Sequence, residues 1–362
     1  MKLKAALEKR VGGKSGVRNA VLSVEAPGID VTWSAGIADA RTGTEMKSDT
    51  PFLSASVGKL FITATVLSLA AEGKLSLDDP LSRWLSPDVY DGLPVIGGNE
   101  ALGRVTVRQL LAHRSGLPDY YEPTKNGPKS VLEEMVEDPD RVWATSDLLA
   151  AARRHPRAGA PGERFLYTDA NYDLLGLITA AAAGRPFHEE VRARVIEPLG
   201  LVRTWYHKFE PVPEGVPEWA DVFHGDLNLA RTAALSMDEA GGGLATTAGD
   251  LRRFMRGLVD GRPVPFEAFQ TEWTKNAFAR GIDYAYGMWR IRPSGFFFLL
   301  GMLPDMYGVS GSTGSYAYYV PKHDVVVTGT FDTTTYREKH VEFLLRVVLP
   351  VLVRIEWPGT PQ

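Results

Sequence analysis

Residues 19–39, NAVLSVEAPGIDVTWSAGIAD, carry two β-rich runs around PGID and predict a hairpin. The pattern then changes period. FLSASVGKLFITATVLSLAAEG, residues 52–73, is almost wholly apolar between its opening serines and its closing glycine, and predicts a helix over about 56–72. One residue breaks that pattern. Lys59 follows Ser56 by one turn and stands in the row that continues through Ile62, Val66 and Leu69.

From Leu75 to about Trp205 the pattern reads as helices joined by Pro- and Gly-rich loops. Examples are TVRQLLAH (106–113), TSDLLAAARR (145–154) and TDANYDLLGLITAAAAG (168–184). Residues 206–240 are loop-rich, and 241–261 read as a glycine turn and a helix. Four strands follow, YAYGMWRIR, GFFFLLGML, GSYAYYVP and DVVVTGTFD, then a last helix from about Arg337 to Ile355. Strands at both ends of the chain and helices between them predict an α/β (α+β) fold. Its mixed sheet is built from residues 1–75 and 235–362, with a helical part at 76–234 inserted into one catalytic unit.

Composition narrows the function classes. With 362 residues, 44% of them hydrophobic, the chain can bury a large core. A net charge of −4 with interspersed signs gives no electrostatic case for nucleic acid or an anionic membrane. The chain has no cysteine, which excludes disulfides, thiolate catalysis and Cys-ligated metals. The charged start MKLKAALEKR is unlike a secretory signal, so a cytoplasmic location is expected. The longest apolar runs fall short of the roughly 20 residues of a membrane span.

Several chemistries find no candidate. There is no G-x-S-x-G, no H-E-x-x-H and no phosphate-binding loop, and the seven histidines are dispersed, so neither a metal site nor a cofactor is expected. Ser56-Val57-Gly58-Lys59 remains. Residues three apart share a helix face, so the lysine amine reaches the serine hydroxyl. Burial would lower the lysine pKa and let a neutral amine take the serine proton.

The blocks LSASVGK, VTVRQLLAHRSGLPDY, PGERFLYTDANYDLLGLI, IEPLGLVRTWY, GGGLATTAGDLRRF and VSGSTGSYAYYVP, in this order, resemble the serine β-lactamase and penicillin-binding protein superfamily. The likeness is to the branch of class C β-lactamases, D-alanyl-D-alanine carboxypeptidases, D-aminopeptidases and β-lactamase-like esterases, and it runs from about residue 20 to 335. It implies a sandwich of a largely antiparallel sheet flanked by helices. It also implies catalytic Ser56, Lys59 and Tyr167. The backbone N–H groups of Ser56 and Ser312 would form the oxyanion hole, and Asp169, Val309, Ser310 and Gly311 would bind substrate.

Two positions depart from the family pattern. Asp169 stands where the family has Asn, and Val309 stands where it has His or Lys. Valine removes a cation that would pair with a substrate carboxylate. The expected function is therefore a serine hydrolase with an acyl-enzyme on Ser56, an esterase or amidase for small uncharged acyl substrates. The alternatives are D-peptidase or β-lactamase-type activity, or a quiet ligand-binding relative. His113 reads as a loop-shaping residue. Tyr120, Tyr121, Trp205, Tyr206 and Phe296–Phe298 are candidate walls of an acyl pocket.

Overall fold

The computed structural model describes residues 2–12, 16–296, 298–334 and 339–352. Near the N-terminus, β1 (Asn19–Ala26) and β2 (Ile29–Asp39) form the predicted hairpin, turning at Gly28 with φ +74°, and β3 (Thr44–Glu45) pairs with β2. Three short strands, β4 (Phe52–Leu53), β5 (Trp205–Tyr206) and β8 (Leu244–Thr246), make a separate sheet in the order β4-β8-β5. Between β5 and β8 lies a small hairpin of β6 (Phe223–His224) and β7 (Leu227–Asn228).

The remaining strands are β9 (Thr274–Ala279), β10 (Ile282–Tyr284), β11 (Trp289–Ile291), β12 (Met306–Ser310), β13 (Tyr316–Val320) and β14 (Val325–Thr330). They complete a nine-stranded sheet in the order β3-β2-β1-β14-β13-β12-β11-β10-β9. Each pairing is antiparallel, so the sheet is not mixed as expected. Its strands come only from residues 19–45 and 274–330.

Period-two alternation sorts the sheet's side chains to two faces. Leu22, Val24, Tyr316, Tyr318, Val325 and Val327 pack with Leu3, Leu7, Phe343 and Val348 of the terminal helices. Val21, Val309, Ala317 and Val326 face the larger core, which includes Leu251 and Phe254 of the Ala248–Val259 helix. That helix lies between the sheet and the Lys59–Ala71 helix, and Phe254 stacks on Phe61 with ring centroids 4.0 Å apart. Next in order comes the Ala170–Ala183 helix, closed by Gly184 at φ +70°.

Two strand expectations are revised: YAYGMWRIR, read as one strand, is split between the end of β10 and β11. GFFFLLGML is not a strand: its described residues up to Met302 lie in short helical turns, Pro293–Phe296 and Phe298–Met302, Leu303 follows in a bend, and Phe297 lies outside the described residues. A uniformly apolar run has no alternation to select strand over helix. The last helix is described over Lys339–Leu352, so both predicted ends, Arg337 and Ile355, fall outside the described residues.

Candidate active site

Ser56 does not begin the long helix. It lies in a 3-10 turn, Ala55–Gly58, that runs directly into the Lys59–Ala71 helix. Side chains at i and i+3 eclipse in 3-10 geometry, which stacks Lys59 on Ser56. The Lys59 Nζ donates to Ser56 Oγ at 3.1 Å although the lysine is only 2% exposed.

Both flanks of this turn are tied down. On one side Ser54 N–H donates to Leu244 O of β8 at 2.8 Å. On the other, the β12–β13 turn supplies Thr313 Oγ1 to Leu53 O at 2.9 Å and Ser315 Oγ to Ser54 O at 2.5 Å. These bonds hold Ala55 at φ +43°, a conformation costing a non-glycine residue on the order of 1–3 kcal/mol. Glycine is needed where the segments meet. A Cβ on Gly311 would lie 2.6 Å from Ser54 O, and one on Gly58 3.1 Å from the Gly242 Cα. A Cβ on Gly241 would come within 3.3 Å of the Lys59 ammonium. The 241–243 glycines thus seat the Ser56 turn, a role beyond the turn read from the sequence.

Tyr167 and Asp169 arrive together at the entry of the Ala170–Ala183 helix. The Tyr167 hydroxyl donates to Ser56 Oγ at 2.9 Å. Asp169 occupies the N-cap position but makes no side-chain cap bond, and its Oδ1 instead accepts from Lys59 Nζ at 2.5 Å. His113, fully buried at φ +52°, holds this segment: its Nδ1 accepts from Thr168 N–H at 3.3 Å and its ring lies 4.3 Å from that of Tyr167.

The electrostatics revise one expectation. Burial pulls the Lys59 pKa down, but the carboxylate of Asp169 and the other nearby acids outweigh it, and the net shift is upward. Lys59 rests as an ammonium, not as the neutral amine expected from burial alone. Burial pushes Tyr167 up to about 12 despite the lysine beside it, so its phenol keeps its proton near neutral pH.

A cavity of about 360 Å³ opens over Ser56 and Tyr167. Ser310, Gly311 and Ser312 form one wall, and Tyr121, Phe278 and Trp289 provide aromatic surface. Asp119, Glu122 and Asp169 add three carboxylates, and the lining residues include no Lys or Arg. Burial and the nearby Asp169 push Asp119 up to about 7.

Val309 is not in this wall. Its side chain is 1% exposed and belongs to the larger core, because alternation along β12 sends it to the opposite face from Ser310. Among the aromatic candidates, Tyr121 lines the cavity. Tyr120 is buried and donates to Asp173 at 2.7 Å, Trp205 and Tyr206 are fully buried, and Phe296 is outside the lining. Phe278 and Trp289 escaped the sequence reading, since single aromatics on separate strands leave no local pattern.

Comparison with known proteins agrees with this architecture. Protein Rv1367c of Mycobacterium tuberculosis is 32% identical over 247 residues, covering 62% of this chain and 59% of that protein. Esterase EstB of Burkholderia gladioli is 36% identical over 185 residues, 50% of this chain and 45% of the esterase. The aligned stretches thus span less than two thirds of these relatives' own lengths. The D-amino acid amidase of Ochrobactrum anthropi SV3, solved with L-phenylalanine amide, shares the fold at a TM-score of 0.78 and 23% identity, over 97% of each chain. Residues 5–347 match the family model described as Beta-lactamase, and with nearly the whole chain inside that match, this protein belongs to the Beta-lactamase family.

Proposed function

We propose that this protein is a serine hydrolase that forms an acyl-enzyme on Ser56 and acts on small esters or amides without a carboxylate near the scissile bond. One observation carries the reading. In the wall of a cavity of about 360 Å³, Ser56 Oγ lies 3.1 Å from the Lys59 ammonium and 2.9 Å from the Tyr167 hydroxyl.

The ammonium cannot accept a proton until it has released one, and Asp169 Oδ1 at 2.5 Å is the receiver. As Ser56 Oγ attacks the acyl carbon, its proton passes to Lys59 while Lys59 passes one to Asp169. The N–H groups of Ser56 and Ser312, for which the hydrogen bonds of the described residues assign no acceptor, hold the oxyanion. Tyr167 then protonates the leaving group as the carbon–leaving-group bond breaks, and recovers its proton from Asp169 through Lys59. Water reverses these steps to release the acid.

The acid-lined wall favours a second substrate class within the same chemistry, esters and amides that carry a free amine. It disfavours D-alanyl carboxylates and β-lactam acids. A quiet ligand-binding relative would have no need for a serine, an ammonium and a phenol converging on one point. Without cysteines, the chain also suits the cytoplasm. A fluorophosphonate probe followed by mass spectrometry should give one adduct, on Ser56, absent in Ser56→Ala. No adduct, or wild-type turnover by Ser56→Ala, would end the reading.

A further inference from the structure

At its cavity end, β12 meets the helix layer on the far face of the sheet. Ser310 lines the cavity, yet its hydroxyl also contacts two buried groups behind it. The Tyr318 hydroxyl lies 2.6 Å from Ser310 Oγ, and His340 Nε2, from the Lys339–Phe343 helix, is in hydrogen-bond contact with the same oxygen. Tyr318 is fully buried and His340 is 1% exposed. No mechanistic step above uses either one.

The hydrogen inventory decides which way these bonds run. A serine hydroxyl has one donor and two lone pairs, and a neutral imidazole has one N–H. Burial keeps His340 neutral. Ser310 is the only side-chain partner recorded for the Tyr318 hydroxyl among the described residues, so Tyr318 must donate to Ser310 or bury an unpaired O–H. Among the described residues, His340 Nδ1 is buried with no partner. An unpaired lone pair there is better tolerated than an orphaned N–H, which places the ring proton on Nε2, directed at Ser310. Both lone pairs of Ser310 are then filled, and its own proton is left for the cavity.

We infer that His340 and Tyr318 are positioning residues that make Ser310 an obligate hydrogen-bond donor toward the substrate, so that the preferred acyl compounds carry a second acceptor, such as an amide carbonyl, beside the scissile group. This rests on the hydrolase reading for its substrate but not for its geometry. The acid-lined wall selects a neutral carbonyl over a carboxylate as that acceptor.

Two measurements test it. Long-range 1H–15N spectra of the wild-type protein should show the His340 proton on Nε2, and a proton on Nδ1 overturns the inference whether or not the protein turns over any ester. For kinetics, KM is compared for p-nitrophenyl 4-oxopentanoate, whose ketone supplies the second acceptor, and p-nitrophenyl pentanoate, which lacks that acceptor and carries no amine. Wild type should favour the carbonyl compound by about three- to tenfold, the range for one neutral hydrogen bond. Ser310→Ala, His340→Met and the double variant should lose that preference to the same extent, with His340→Gln retaining it through its amide N–H. A wild type without the preference, additive losses in the double variant, or a folded His340→Met that keeps the preference would each overturn it. Failure of the hydrolase reading is distinct, since it appears as no turnover of either ester while the tautomer is still read.

Discussion

Asp169 is where one atom type changes the chemistry of the site. With Asn, as in the family pattern, Lys59 would lose the largest influence that opposes burial, and its pKa would fall. With Asp, the ammonium is held beside a carboxylate at 2.5 Å. The sign of the expected pH effect follows: the raised lysine pKa keeps Lys59 an ammonium through neutral pH, and because its proton passes to Asp169 the reaction needs no free amine and Lys59 gives the kcat/KM profile no rising limb there. In Asp169→Asn the receiver is lost and the lysine pKa falls, so a rising limb should appear as the amine deprotonates, and a profile without one would separate Asp169 from Lys59. Lys59→Met should lower kcat by roughly 100-fold or more, the range for a positioned general base. Full activity in that variant would reduce Lys59 to a packing residue. The serine and lysine were legible in the sequence because the 3-10 turn and helix keep them neighbours at a fixed spacing. The charge on the lysine was not, since Asp169 is 110 positions away and could equally have capped its own helix.

At the level of elements, the Ser56 turn is gripped between β8 and the β12–β13 turn, and its register depends on close backbone approach. A Cβ on Gly311 would meet the Ser315 hydroxyl as well as Ser54 O and, at 3.0 Å, Ala55 Cβ. Gly311→Ala should therefore cost about 1–3 kcal/mol, as overpacking does, and slow acylation along with it. Thermal unfolding and burst-phase kinetics measure the two. A variant with the wild-type Tm and burst would mean the turn can shift without loss. Val309→His places an imidazole in the larger core, where stability should fall without any gain for carboxylate substrates. The hairpin of β1 and β2, strands β13 and β14, and the Ala170–Ala183 helix announced themselves through alternation, turn residues and a terminal glycine. GFFFLLGML did not, and the two-residue strands β4 and β5 are too short to carry a period.

Over the whole molecule, the charge of the cavity is set by residues from several distant segments. Arg290 and Arg292, in and beside the strand that carries Trp289, are already paired with Asp305 at 2.6 Å and Asp283 at 2.8 Å. Asp119, Glu122 and Asp169, the last bonded to the Lys59 ammonium, give the cavity lining three carboxylates with no Lys or Arg among the lining residues. A matched pair of p-nitrophenyl acyl esters, one ending in a methyl ester and one in a free acid, should differ in kcat/KM by roughly tenfold in favour of the neutral compound, the scale of a charge-assisted contact. Asp119, raised to about 7, is charged above that pH and neutral below it. The discrimination should accordingly narrow as pH falls from 8 to 6 and also weaken with added salt. A preference for the acid, or a ratio flat with pH, would show that another group sets the selectivity.

The sequence by itself determined the fold class, the broad succession of strands, helices and strands, and the serine–lysine pair, because periodicity, capping and i,i+3 spacing are local properties of a chain. It also carried the family through six ordered blocks. Only the tertiary structure decided the protonation of Lys59, the burial of Val309, the acid-lined wall and the contact of His340 with Ser310. Each of these depends on distances between groups far apart in the chain, and electrostatic and packing energies follow those distances, not sequence separation.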